Sequence, residues 1–294
     1  MDKISSEVAA PAVKSIYEIS GEDSRGNLQP NELYTTLEAQ YFGENMHEKD
    51  EIECLPELLK GVSVFVDVGA SLGQYSFFAN TILKYGRIYC IEADSVRVRR
   101  LRELAAEWEK LSTNKITVIH AAAAEMDGKI TFFRTDANVS GGIFIHDSGS
   151  PSSSRWTKCE VDSISLDSLC KDVQPDLIKI DVEGSEYSVL RGAREILARG
   201  KCRFFVEVHP WGDESANKTP ADVFRLFAQF GYDFRRTHRH WLFERSDKGI
   251  QRFIKGRFIV LAMENAWLKS AAKSCILSLQ GLKRSLVSLT PHTK

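Results

Sequence analysis

The sequence has no excess charge of either sign. Its 39 Lys and Arg stand against 40 Asp and Glu, for a formal net charge of −1. No surplus of basic groups is left to neutralise phosphates, which argues against a general nucleic-acid binder, although a local basic patch stays open. No two of the six cysteines (Cys54, Cys90, Cys159, Cys170, Cys202 and Cys275) have C-x-x-C spacing. They read as reduced, mostly buried thiols rather than disulfide partners or zinc ligands. No run of about 18 apolar residues occurs, so no spanning helix is expected. The opening MDKISSEVAA lacks the charged start and apolar run of a secretory signal, and a cytoplasmic location is the expectation. No internal repeat is visible. The 294 residues suit one large α/β domain with additions, able to bury a core without a disulfide or metal staple.

What is present is an alternation of strands and helices. Residues 1–60 are mixed in character and read as an N-terminal arm or helical cap, with a short helix expected over 31–42. The apolar, β-branched run at 62–68 (VSVFVDV) predicts a strand buried on both faces. A helix over 74–85, a strand at 87–92 (RIYCIE), a helix over 95–111 capped by Asp94, and a strand at 116–120 follow. Two added strands, 129–134 and 157–161, interrupt the pattern around a Gly- and Ser-rich segment, 138–155. That segment is either a loop near a ligand, with His146, Arg155 and Trp156 as candidate contacts, or an ordinary connection. The alternation resumes with a strand at 176–181 (DLIKID), a helix over 186–199, a strand at 204–208, and a helix from Thr219 and Pro220 to Phe230. Final strands are expected at 232–237 and 257–262, with a shorter piece at 242–244. Such alternation predicts a parallel sheet covered on both faces, over 61–264. Residues 265–294 read as a basic amphipathic helix. It either packs on its own domain or a partner, or lies on a membrane surface.

The turn D-V-G-A-S-L-G, Asp67 to Gly73, ends a predicted strand and opens a helix. Gly69 permits a tight turn and close backbone approach to a ligand, and Gly73 lets the helix pack near the strand. The loop N–H groups of Ala70 and Ser71 can meet a carboxylate or other polar group. Glu92, ending the second strand, can accept hydrogen bonds from both hydroxyls of a ribose, which fits an adenosine-containing cofactor. A dinucleotide loop needs G-x-G-x-x-G, and that fingerprint is absent. Asp67 would repel a pyrophosphate and attract the ammonium or sulfonium of S-adenosylmethionine, so charge sign favours the methyl donor.

These residues resemble the FkbM-type methyltransferases. The resemblance runs over about 62–244 and rests on F-V-D-V-G-A-S-L-G-Q-Y-S, the strand end I-E-A, the segment D-L-I-K-I-D-V-E-G-S-E-Y-S-V-L-R-G-A, and F-V-E-V-H. It implies a class I (Rossmann-like) methyltransferase fold: a seven-stranded, mostly parallel sheet with helices on both faces and an antiparallel last strand. It also implies O-methylation, commonly of sugar or polyketide hydroxyls.

Asp181 and Glu183 sit at the carboxyl end of one central strand, and Glu207 and His209 at the end of its expected neighbour with the same spacing. Ligands of open α/β sheets bind at that carboxyl edge. Asp181 or His209 is the candidate base; Glu183 and Glu207 would orient the acceptor; Asp181 also borders the cofactor. Each of the four could instead serve loop structure alone. No metal ligands are assigned, although carboxylates with a histidine could hold Mg²⁺. Trp211, Trp241, His238 and His240 are open as acceptor contacts. The expected partner is a small-molecule or glycan acceptor. A non-catalytic S-adenosylmethionine sensor or scaffold is the alternative from another class, and peripheral membrane contact through the C-terminal helix is compatible with either.

Overall fold

The computed structural model describes residues 49–135 and 156–245. Two short helices, α1 (Lys49–Glu53) and α2 (Leu55–Leu58), lead into β1 (Val64–Val68), α3 (Gln74–Ile82), β2 (Arg87–Glu92), α4 (Ser95–Trp108) and β3 (Lys115–His120). Then come β4 (Ala122–Ala123), β5 (Gly128–Thr135), β6 (Trp156–Ile164), α5 (Leu166–Leu169) and β7 (Leu177–Ile180). The described chain ends through α6 (Glu186–Arg191), α7 (Arg194–Arg199), β8 (Arg203–Glu207), α8 (Pro220–Gln229), β9 (Tyr232–Thr237) and β10 (His240–Arg245).

Seven strands form one sheet in the order β3-β2-β1-β7-β8-β10-β9. Neighbours from β3 through β8 pair in parallel, and β10 runs antiparallel to both β8 and β9. The central strands are near-continuous apolar runs because both faces are covered. On one face Phe65, Leu177, Phe205 and Leu242 pack with Ile52, Leu55 and Leu58 of the first helices and with Phe77, Leu101 and Trp108 of α3 and α4. On the other, Val66, Ile178, Phe204 and Val206 pack with Val189, Ile196, Phe224 and Phe227 of α6, α7 and α8. Fully burying one such side chain contributes about 1.5–3 kcal/mol, so these two layers hold the sheet together.

Local signals act where expected. Asp94 accepts from the Val96 N–H at 2.8 Å and caps α4. The Thr219 N–H and hydroxyl both donate to Asp222 at 2.9 Å, closing a capping box in front of Pro220. The added strands β5 and β6 are real but leave the main sheet and pair with β4 in a separate three-stranded one.

Two elements differ from the sequence expectation. The helix foreseen over 186–199 breaks into α6 and α7 at Gly192. A β-carbon there would lie 2.1 Å from the Ala124 carbonyl oxygen, and the Gly192 carbonyl accepts from the Asp167 N–H at 2.8 Å. The loop after β4 thus occupies the space a straight helix would need. The seventh strand is β10, longer than the piece foreseen at 242–244, and Thr237 pairs with His240 across a two-residue turn. The expected strand at 257–262, the helices over 31–42 and in the C-terminal segment, and the 138–155 segment lie outside the described residues. Among those described, no helix is long and apolar enough to cross a membrane.

Candidate functional site

The carboxyl ends of β1, β2, β7 and β8 share one edge of the sheet. The loop after β1 folds back tightly: the N–H groups of Gly69 and Ala70 both donate to the Ile91 carbonyl at 3.0 Å. Gly69 has a left-handed φ of 72°, and a β-carbon on it would stand 1.8 Å from the Asp181 carbonyl oxygen. Only glycine lets these two loops touch. Gly73, with φ of 83°, plays a second steric role, because its β-carbon would lie 2.4 Å from Leu101.

Ser71 adopts φ of 52°, and its N–H donates to Glu92 Oε2 at 2.8 Å; the Asp94 N–H donates to Oε1 at 2.8 Å. Both oxygens of this buried carboxylate are thereby fixed, each with a second lone pair left. Burial pushes its pKa up, against the pull of those backbone donors. Arg97, on the first turn of α4, reaches both Glu92 and Glu183 with its charge.

Asp67 has a surrounding that the sequence reading did not foresee. Its side chain is fully buried; Oδ2 accepts from the Ser76 hydroxyl at 2.7 Å, and Oδ1 faces Lys179 Nζ at 3.4 Å. Lys179 is buried as well. It donates to the Gly69 carbonyl at 3.2 Å, lies 3.6 Å from Asp181 and sits 4.8 Å above the Tyr75 ring. Register explains this: Lys179 is the β7 partner of Asp67. The negative charge read at the first β–α crossing is therefore compensated from inside the sheet. Lys179 was legible only as a charged residue in an otherwise apolar strand.

The four residues foreseen at the second pair of strand ends do come together. His209 is buried; its Nδ1 lies 2.7 Å from Glu186 Oε1, and its Nε2 lies 3.3 Å from Glu183 and 3.9 Å from Asp181 Oδ1. Burial opposes charge on this ring, but the Glu186 hydrogen bond and the nearby carboxylates prevail and raise its pKa to about 9. Burial also raises the carboxyl of half-exposed Glu183. Asp181 moves the other way: Lys179 and the histidines outweigh its burial and hold it below the usual carboxylate range. Glu183 and Gly184 both have positive φ, and a β-carbon on Gly184 would meet the Trp211 ring at 2.5 Å. Trp211 donates from Nε1 to the Glu183 carbonyl at 3.2 Å and lies tilted on His209, ring centres 4.7 Å apart. Glu207 is buried and meets Arg239 at 3.2 Å. One ligand atom each of Asp181, Glu207 and His209 lie within 4.8 Å of one another.

Of the other aromatics and histidines left open, Trp241 packs on Phe224 in the core and His238 forms the β9–β10 turn. His240 is fully buried, stacked on Phe205 with ring centres 4.4 Å apart. Glu186 and Arg239 were missed as site residues. The first had a signal in its place within D-V-E-G-S-E; the second is brought in only by the β10 pairing.

The strand order, with its antiparallel seventh strand, defines a class I methyltransferase fold. The chain belongs to the FkbM methyltransferase family: the methyltransferase FkbM domain matches residues 67–234. S-adenosylmethionine is the cofactor of that family. No curated protein sequence matches. Among solved structures, the methyltransferase FkbM from Methylobacillus flagellatus is 18% identical with a TM-score of 0.42, the match covering 74% of this chain and 63% of that one. The chain thus spans less than two thirds of that protein. A putative O-methyltransferase from Klebsiella pneumoniae is 13% identical over 69% of this chain and 83% of its own, with a TM-score of 0.39. Aeropyrum pernix fibrillarin, solved with S-adenosylmethionine, is 14% identical over 65% and 73%, with a TM-score of 0.37.

Proposed function

We propose that this chain transfers the methyl group of S-adenosylmethionine to a hydroxyl oxygen of a small molecule, a sugar or glycan first. The observation that carries this reading is the shared edge. Gly69, in the donor loop, is in backbone contact with Asp181, the first residue of the carboxylate and histidine group. A donor on the loop and an acceptor on that group would meet with no further movement of the sheet.

The donor brings a methyl group already activated on a sulfonium. The chain's own residues supply placement. Glu92, held by Ser71 and Asp94, offers its remaining lone pairs to a ribose diol. The loop 69–73 provides the close backbone approach, and Asp67 acts through Lys179, which ties Gly69 to β7. Asp181 stands out as proton acceptor: it is ionised, and its Oδ1 has no hydrogen-bond partner among the described residues. His209, charged near neutrality in this arrangement, has no lone pair to offer and orients Glu183 and Asp181 instead. As the acceptor O–H bond breaks, its proton goes to Asp181. The oxygen bonds to the methyl carbon, and the electron pair of the broken C–S bond stays on sulfur. Placement of this kind supplies roughly 7–11 kcal/mol in favourable cases, a base about 10²–10⁴-fold, so geometry outweighs base strength.

The test is transfer of a tritiated methyl group to a panel of sugars, glycosides and polyketide alcohols. Asp181→Asn should keep donor affinity within about threefold and lose at least about 100-fold in turnover. Turnover near that of the wild type would remove Asp181 from the role. Saturable donor binding with no labelled acceptor in the panel would favour a donor-binding sensor or scaffold.

A further inference from the structure

We propose that Asp181, Glu207 and Nε2 of His209 form a binding site for one divalent cation of the Mg²⁺ or Mn²⁺ type. Binding stands on the geometry alone; a use in catalysis rests on the methyl-transfer reading above.

The three ligand atoms already lie within 4.8 Å of one another. Two ligands on opposite sides of one ion with bonds of about 2.1 Å stand about 4.2 Å apart, so a small side-chain rotation closes the set. The strands explain the convergence. The β7–β8 register ends at Ile180 beside Val206, and the next step puts Asp181 beside Glu207. His209 follows two residues later.

The histidine is oriented as metal-binding histidines are. Nδ1 meets the buried Glu186 carboxylate at 2.7 Å, which leaves Nε2 turned toward Asp181 and Glu183. A carboxylate behind the ligating ring fixes its orientation and raises its basicity. One nitrogen and two carboxylates suit a hard to borderline ion.

Two further observations point to a missing ligand rather than a closed network. Asp181 Oδ1 is buried and makes no hydrogen bond among the described residues. His240, opposite Glu207 in the β8–β10 register, is fully buried, and neither of its ring nitrogens has a hydrogen-bond partner among the described residues. Cross-strand partners share a sheet face, so this orphaned imidazole stands in the row that carries Asp181 and Glu207. A hydrated ion in that row would give it the polar neighbours that buried groups require. The charges agree: among the described residues, Asp67, Asp181, Glu183, Glu186 and Glu207 outnumber Lys179, Arg239, Arg97 and the His209 ring around them. In the methyl-transfer reading, an ion there would replace the Nε2 proton of His209, engage Asp181 as a ligand and polarise the acceptor hydroxyl, whose proton the neighbouring Glu183 would then take in place of Asp181.

The experiment is titration of the full-length chain with Mn²⁺ alone, followed by the loss of the free-ion EPR signal, with pulsed EPR on the bound ion. One saturable site per chain is expected, with ¹⁴N coupling from a coordinated imidazole. His209→Gln should abolish that coupling. Glu207→Gln should weaken binding at least tenfold, while Glu103→Gln, on an exposed ion pair of α4, should leave it unchanged, and excess Mg²⁺ should displace the Mn²⁺. No saturable site in wild type, or a site without ¹⁴N coupling, overturns the proposal. The wild-type spectrum decides even where a variant fails to fold. Calorimetry with S-adenosylhomocysteine on the same sample separates the two readings: donor binding without Mn²⁺ binding removes the ion alone, and the reverse removes the methyl-transfer reading alone.

Discussion

Lys179→Met should be among the most destabilising single substitutions in the described fold. The ammonium is buried between Asp67, itself with no exposed surface, and Asp181, and it also holds the Gly69 carbonyl. Methionine keeps the length of the chain and removes the charge. Breaking a buried pair by deleting one partner costs about 3–5 kcal/mol, because the other charge is stranded. For a domain of this size each kcal/mol lowers the melting temperature by roughly 2–4 °C, so a fall of roughly 6–20 °C is expected. Calorimetric melts and urea titrations at neutral pH would measure it. The double variant Lys179→Met/Asp67→Leu should recover most of the loss, since exchanging a whole buried pair for apolar groups is often nearly neutral. A single-variant loss below about 1 kcal/mol, the size of an exposed pair, would refute the claim that this charge is locked inside the sheet.

His240→Phe should stabilise the protein by about 1–3 kcal/mol, because it removes two buried nitrogens that have no partner among the described residues and keeps the stack on Phe205. It should also flatten the acid limb of stability. Burial lowers the pKa of this ring from 6.5 to about 3, so the unfolded chain takes up the proton first. Stability is complete above pH 6.5 and falls toward pH 3 by up to about 1.4 kcal/mol per pH unit. Urea titrations of both proteins across that range would show equal slopes if the argument fails. Gly69→Ala should cost at least about 1 kcal/mol through its positive φ alone and, because the clash with the Asp181 carbonyl displaces the loop 69–73 itself, at least tenfold in donor affinity by calorimetry.

The sheet was legible because its signals are local. Apolar runs such as 64–68 and 177–180, the Asp94 cap and the Thr219–Pro220 start are decided within a few residues. The site was half legible. Asp181, Glu183, Glu207 and His209 follow strand ends, and parallel strands place such ends on one edge. Their partners depend on register and on contacts between distant segments. The meeting of Asp67 with Lys179 needs the β1–β7 alignment, and that of Glu207 with Arg239 needs the β10 hairpin. The charge on His209 needs Glu186 to turn inward from the helix that follows Gly184. The break at Gly192 was hidden for the same reason, since the carbonyl that demands glycine there belongs to Ala124.

The most direct test of the account is calorimetric titration of the full chain with S-adenosylhomocysteine, beside Glu92→Gln and beside a nicotinamide dinucleotide. One saturable site is predicted in wild type, weakened about 10–100-fold in the variant by loss of a charge-assisted contact of about 1.5–3 kcal/mol, with no heat from the dinucleotide. Saturable uptake of the dinucleotide with none of S-adenosylhomocysteine, or equal affinity in the variant, would contradict it.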